Sequence, residues 1–379
     1  MPTATKLSFL TTPSLILDEA KMNANVDRLA QRARSLGVTL RPHLKTAKSV
    51  DVARRVLTGG NGPATVSTLA EAEVLAAAGI KDILYAVGIS PQKLERVLAL
   101  RASGCDLTII LDSEEQAAIV AEVSLAARVP VPTLIEIDSD GHRGGVQPDD
   151  PMLLAIGRRL HARNSLRGVI THAGESYGVS GTEAHADFVI RERDAVVTAA
   201  RALRSAGLPC PIISVGSTPT AHAAEDLSGV TELRAGVYMF FDLVMAGIGV
   251  CRPEDIALSV LTTVIGHQKS RGWILIDAGW MAMSRDRGTA GQKTDQGYGL
   301  VCDETGTIIS DLILSQANQE HGVITVRAGA RRTIPDFAVG TRLRILPNHA
   351  CATAAQHESY HVIPTDGGDL VEWPRFKGW

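Results

Sequence analysis

The chain has 379 residues, a net charge of −3 and 45% hydrophobic residues. That length exceeds one ordinary domain and points to two. Without a basic run the balance argues against nucleic-acid binding, and no window has the uninterrupted apolar length of a membrane helix.

Met1-Pro-Thr-Ala-Thr-Lys-Leu7 lacks the apolar core of a signal peptide. The five cysteines (Cys105, Cys210, Cys251, Cys302, Cys351) are scattered, odd in number and without a CxxC. This pattern suggests a reduced, cytoplasmic protein with no disulfide framework.

In chain order, the first helix is expected at Glu19–Leu36 and the first strand at Thr39–His43. Short β-rich runs then alternate with helical runs. The further strands are Ala64–Ser67, Asp82–Val87, Leu107–Leu111, Thr133–Ile137, Gly168–His172, Ile212–Val215 and Glu232–Ala235. Helices fall at Lys48–Leu57, Leu69–Ala78, Gln92–Ala102, Glu114–Ala127, Pro151–Arg163 and Glu183–Ala206. Thr68 with Glu71 and Ser113 with Gln116 have capping-box spacing. Ser90-Pro91 and Thr218-Pro219 each place a capping residue before a proline at the first helical position. Eight such units predict an α/β fold, a (β/α)8 TIM-like barrel, over residues 20–250. An open doubly wound sheet is the competitor, and the lack of a GxGxxG in the first unit weakens it.

Beyond Phe241 helical periodicity fades. Leu258–Ile265, Trp273–Ile276, Gly299–Val301, Val323–Val326, Leu343–Leu346 and Tyr360–Ile363 read as short strands between Gly- and Pro-containing turns. A mostly β C-terminal domain is therefore expected over 251–379, with residues 1–19 joining it through Ser14–Leu17.

Barrel chemistry gathers where strands end. In an extended first strand, Arg41, His43 and Lys45 share one face. Positive neighbours lower the pKa of a lysine, and a neutral amine is what a Schiff base needs. A loop lysine in water is the alternative. Gly216, Ser217 and Thr218 lead into a helix start, where free N–H groups favour an anion. Gly236 lets a backbone amide approach closely, with Tyr238 just beyond. Taken singly, such a turn is more often only a cap. Lysine, anion cradle and aromatic together suggest pyridoxal phosphate.

Arg41-Pro-His-Leu-Lys-Thr-Ala-Lys48, His172-Ala-Gly-Glu-Ser-Tyr177, Glu232-Leu-Arg-Ala-Gly-Val-Tyr238 and Pro347-Asn-His-Ala-Cys-Ala-Thr353 stand in that order along the chain. With these motifs the chain resembles the D-threonine aldolase and D-serine dehydratase family, of the alanine-racemase-like pyridoxal phosphate fold. The resemblance runs from Thr12 to about Ile363. It implies a homodimer with active sites near the subunit interface and a small D-amino acid substrate. It assigns Lys45 to the cofactor and sets Arg143, His172 and Tyr177 at the cofactor ring. Lys48 receives no role and reads as a solvated lysine of the first helical turn. His349 and Cys351, two apart on an extended chain, would share one face; alone they signify little. The resemblance makes them ligands of a divalent metal beside the cofactor, with Zn2+ and Mn2+ both open.

These parts serve two reactions. Loss of the β-hydroxyl proton breaks Cα–Cβ and releases an aldehyde, which makes a D-threonine aldolase, the expected activity. Removal of the α-proton by Lys45 with departure of hydroxide makes a D-serine dehydratase. A metal-independent racemase and a non-catalytic cofactor carrier are the remaining alternatives. His357 and His361 have a metal-like spacing that a strand does not support. Asp277–Arg287 is a polar loop without an assigned role.

Overall fold

The computed structural model describes residues 7–379. The leader reading of Met1–Leu7 and the placement of 1–6 with the β domain therefore lie, but for Leu7, outside the described residues. The chain forms two compact units, one of Asp27–Gly236 with Phe376–Trp379, the other of the chain up to Val26 with Val237–Arg375.

Strand β1 (Ser14–Asp18) and the helix Glu19–Ser35 precede the barrel. The barrel strands are β2 (Thr39–Leu40), β3 (Ala64–Val66), β4 (Asp82–Gly88), β5 (Asp106–Leu111), β6 (Thr133–Glu136), β7 (Leu166–Ile170), β8 (Ile212–Val215) and β9 (Glu232–Leu233). All pair in parallel in the order β2-β9-β8-β7-β6-β5-β4-β3. A bridge between His43 and Thr65 joins the ends, with Leu44 N–H to Thr65 O at 2.8 Å and Thr65 N–H to Pro42 O at 2.8 Å. The sheet is thus a closed barrel. Leu84, Ile110, Leu134 and Ile170 form one apolar cluster contributed by four successive strands. Helix starts follow their caps: Thr68 Oγ1 accepts Glu71 N–H at 3.1 Å, and Ser113 Oγ accepts Gln116 N–H at 3.2 Å.

The first strand is shorter than its β-rich composition suggests. The continuous ladder ends at Leu40, after which only single contacts follow, with Arg41 N–H to Leu233 O at 2.9 Å, His43 N–H to Ala235 O at 2.8 Å and the His43–Thr65 bridge. The Arg41 side chain goes to Glu232 (2.8 Å) and Asp82 (2.6 Å), and residues 44–47 form a turn. Arg41 is therefore spent on a buried ion pair and is not the neighbour of Lys45 that strand alternation implies. At the seventh strand end the cap is Ser217, not Thr218: its Oγ accepts Thr220 N–H at 3.2 Å, so Thr218 is the first helical residue.

In the other unit, β10 (Leu258–Gln268), β11 (Trp273–Ile276), β12 (Gly299–Asp303), β13 (Ile308–Ala317), β14 (Gly322–Val326) and β15 (Arg342–Pro347) form a ring. The ring closes because β10 is long enough to pair with β15 near its start and with β11 near its end. β1 lies on the outer side of β10, followed by β16 (Ser359–Ile363) and β17 (Val371–Pro374). Leu7, Ile16 and Leu261 pack there as a small core.

Candidate active site

In the barrel, Lys45 sits in the turn after β2. Its side chain is exposed, and among the described residues its amine makes no hydrogen bond or ion pair. His43, two residues earlier, has Nε2 2.9 Å from Ser67 Oγ. Burial, and then the charges of Lys45, Arg234, His172 and Arg143, hold its pKa well below the usual range. His172 follows β7, with Nδ1 2.7 Å from the carbonyl of Gly216. A carbonyl only accepts, so Nδ1 carries the proton and Nε2 is bare. Burial, with Arg143, Lys45 and Arg234 adding to it, pushes this imidazole down to about 3, and it stays neutral. Arg143 itself is exposed on the loop after β6, and its charge is felt at His43, His172 and Glu136. The structure thus gathers Lys45, His172 and Arg143 around one barrel mouth. Arg234, unassigned in the sequence, is buried there and donates to Ser214 Oγ and to the carbonyl of Thr171.

The anion cradle departs from the sequence expectation. The N–H groups at this helix start are not free. Gly216 N–H donates to Glu192 Oε1 (2.8 Å), Ser217 N–H to Thr220 Oγ1 (3.1 Å) and Thr218 N–H to the Tyr177 hydroxyl (3.2 Å). What stays open is the Thr218 hydroxyl, buried with no partner. Tyr177 lies 6.2 Å from His172, ring centre to ring centre. Gly216 has φ +146°, and a Cβ there would sit 1.8 Å from the carbonyl oxygen of Arg234, so only glycine fits. Gly236 is needed for a different reason: a Cβ would stand 3.1 Å from His43 O. Glu192, on the helix Thr182–Ser205, is buried and its Oε1 also accepts Ala173 N–H at 3.1 Å. Lys48 precedes its helix at φ +44° and pairs with the buried Glu71 at 3.2 Å, so it is neither solvated nor in the first turn.

In the β unit, His349 caps the short helix Ala350–Ala354. Cys351 therefore lies in a first helical turn, not on an extended strand, and it meets His349 through that cap geometry. His349 hydrogen-bonds Cys351, and its Nδ1 stands 2.6 Å from Asp286 Oδ2. The Cys351 bond chiefly, against burial, then the charges of Cys351 and Asp242, raise the imidazole to about 10. Asp242 is buried and accepts N–H groups from Met245 (3.0 Å) and Ala350 (2.9 Å). Among the described residues no three His, Cys, Asp or Glu side chains are grouped as a metal site. The Asp277–Arg287 stretch gains two roles. Asp277 accepts from Thr12 (2.5 Å) and Thr262 (2.7 Å), and Asp286 fixes His349. Tyr238 is fully buried with a hydroxyl that has no partner. His357 is engaged by the carbonyl of Ala282 at 2.9 Å.

The model of the alanine racemase N-terminal domain matches residues 17–244, and that of a serine dehydratase domain matches 257–363. The chain is similar, at 54% identity over 98% of both chains, to D-threo-3-hydroxyaspartate dehydratase of Delftia sp.. It belongs to the D-threonine aldolase and D-serine dehydratase family. Members of this family are pyridoxal phosphate-dependent lyases built on the alanine racemase fold. The solved Delftia structure superposes with a TM-score of 0.96, at 54% identity and over 99% of this chain and 100% of that one. A D-threonine aldolase from Filomicrobium marinum superposes at 0.81, with 27% identity over 97% and 96% of the two chains. In two further solved structures, each described as a D-threo-3-hydroxyaspartate dehydratase, a histidine and a cysteine two residues apart are replaced by alanine, and the cysteine variant is described as metal-free.

Both groups that the family implies fit the residues present. For pyridoxal phosphate, the barrel offers an unpaired lysine amine, neutral imidazoles and a buried unpartnered hydroxyl on Thr218. For a divalent metal, the β unit offers imidazole and thiol under net negative charge, with a carboxylate already holding the other ring nitrogen. Such a metal would have two protein ligands here and take the rest from water or substrate. No helix of the described residues is long and apolar enough to cross a membrane.

Proposed function

We propose that the protein is a pyridoxal phosphate- and divalent-metal-dependent dehydratase of a D-3-hydroxy amino acid, with D-threo-3-hydroxyaspartate as the leading substrate. The observation that carries the cofactor reading is Lys45, an amine without a partner beside two neutral imidazoles. The choice of dehydratase is supported by the 54% identity to the Delftia enzyme. D-threonine aldolase is the second reading, supported by likeness to the Arthrobacter aldolase at 29% identity over 94% of this chain and 90% of that one.

When bound, the two groups supply an electron sink for Cα and Lewis-acid polarisation of the β-hydroxyl. Lys45 Nζ would hold the cofactor and would serve as the base for the α-proton. His172, fixed through Nδ1–H to Gly216 O, keeps a neutral face at the cofactor ring, and Arg143 adds positive charge at the mouth. The Thr218 hydroxyl and Tyr177 would bind the phosphate side, within the loops that Gly216, Ser217 and Gly236 shape. His349 Nε2 and Cys351 Sγ would hold the metal, with the imidazole set by Asp286. Loss of the α-proton and the β-hydroxyl releases water, and hydrolysis of the remaining imine gives a 2-oxo acid and ammonia.

The test is product analysis with D-threo-3-hydroxyaspartate, D-serine and D-threonine, each against its L enantiomer. A 2-oxo acid and ammonia from the D-hydroxyaspartate is the expected result. Glycine with an aldehyde, and no ammonia, would move the assignment to aldolase.

A further inference from the structure

Glu192 is a carboxylate in the wrong place for its sequence. Among the charged residues Arg191, Arg193 and Asp194 around it, Glu192 alone is buried, at 2% exposed. One of its oxygens receives two backbone donors from two strand ends, Ala173 N–H after β7 at 3.1 Å and Gly216 N–H after β8 at 2.8 Å. Thr220, in the first turn of the next helix, hydrogen-bonds the carboxyl group too. Ala173 follows His172, and Gly216 both accepts from His172 and precedes the Ser217 cap. The Ser217 hydroxyl also meets Ser176 Oγ at 2.8 Å, next to Tyr177. One buried group therefore stands behind every backbone segment that shapes the Thr218 corner.

We infer that Glu192 is a positioning residue that sets the two strand-end loops to receive the cofactor's phosphate. It takes up the Gly216 amide, which would otherwise point at the anion. That leaves the Thr218 hydroxyl, and the Thr218 amide now shared with Tyr177, as the donors facing the phosphate side. Burial raises the Glu192 pKa, so a neutral isostere is tolerated at this place. Aspartate keeps the acid but is one methylene too short to reach both amides.

The inference rests on the barrel mouth being the cofactor site, and the experiment separates the two. Apo-enzyme is titrated with pyridoxal phosphate and with pyridoxal, which lacks the phosphate, following visible absorption. Wild type should prefer the phosphorylated aldehyde. Glu192→Ala and Glu192→Asp should shrink that preference tenfold or more while binding pyridoxal about as wild type does. Glu192→Gln should restore it. If alanine disrupts folding, the aspartate variant decides, with thermal unfolding of the apo-protein as the check. An unchanged preference in a folded Glu192→Asp protein overturns the role of Glu192. No visible absorption from wild type with either aldehyde overturns instead the cofactor assignment of Lys45.

Discussion

Lys45 in the barrel and His349 in the β unit present reactive side chains in opposite ways. Lys45 stands exposed, held only through its backbone turn, with no partner for its amine among the described residues. His349 is held by Asp286 at Nδ1 and is hydrogen-bonded to Cys351. A lysine that must bond a carbonyl carbon, and later move a proton, needs freedom. An imidazole that must hold a metal needs a fixed tautomer and a fixed direction. The difference follows from the chemistry each must supply, and it makes the two regions separable by mutation.

The sharpest break is Lys45→Ala. It should remove the visible absorption of the lysine-bound cofactor and lower turnover on the order of 10³-fold or more. Lys48→Ala should keep both, because Lys48 is engaged with Glu71. Next comes His349→Ala, or treatment with a chelator. Turnover should fall about 10²-fold or more, since Lewis-acid assistance is worth several kcal/mol. The absorption spectrum should stay, and joint loss of spectrum and metal would merge the two regions functionally. Asp286→Asn is milder. Metal content under chelator competition should indicate an affinity about 10- to 100-fold weaker, with cofactor binding as in wild type.

The smallest effect is on stability. His172 has a pKa of about 3 in the fold, against about 6.5 in an unfolded chain. The unfolded state binds the extra proton between those values. Stability from the neutral ring is therefore complete above about pH 6.5 and is lost as pH falls toward 3. The slope for one imidazole is at most about 1.4 kcal/mol per pH unit, less where water reaches the ring. Urea midpoints between pH 7 and 5 should fall more steeply for wild type than for His172→Asn, and parallel slopes would deny the burial.

The barrel was legible because its strands are apolar runs and its helices carry local caps such as Thr68 and Ser113. The β unit was less so. β13 escaped because Ser310-Asp311 breaks its apolar pattern, where Asp311 adopts φ +65°. β17 escaped because only Trp373 is buried in it. Among the proposed site residues, Lys45, His172, His349 and Cys351 stand in motifs that the sequence itself displays. Asp286 was not legible, because its role is a contact made across sixty residues of chain. Glu192 left a signal that went unused. Four residues after Phe188 and four before Val196, it lies on the buried stripe of its helix, where a charge needs an explanation.

The joint between β2 and β3 has a consequence in time. β2 also pairs with β9, Thr39 beside Glu232, so its full set of hydrogen bonds needs a partner from the far end of the barrel sequence. A pairing between strands so far apart in sequence forms slowly, because the closure entropy is lost before the contact rewards it. A ribosome will have made every other barrel strand before Lys45 has its final neighbours. Lys45, the residue proposed to hold the cofactor, is thus among the first residues of the barrel to be synthesised and among the last to be set.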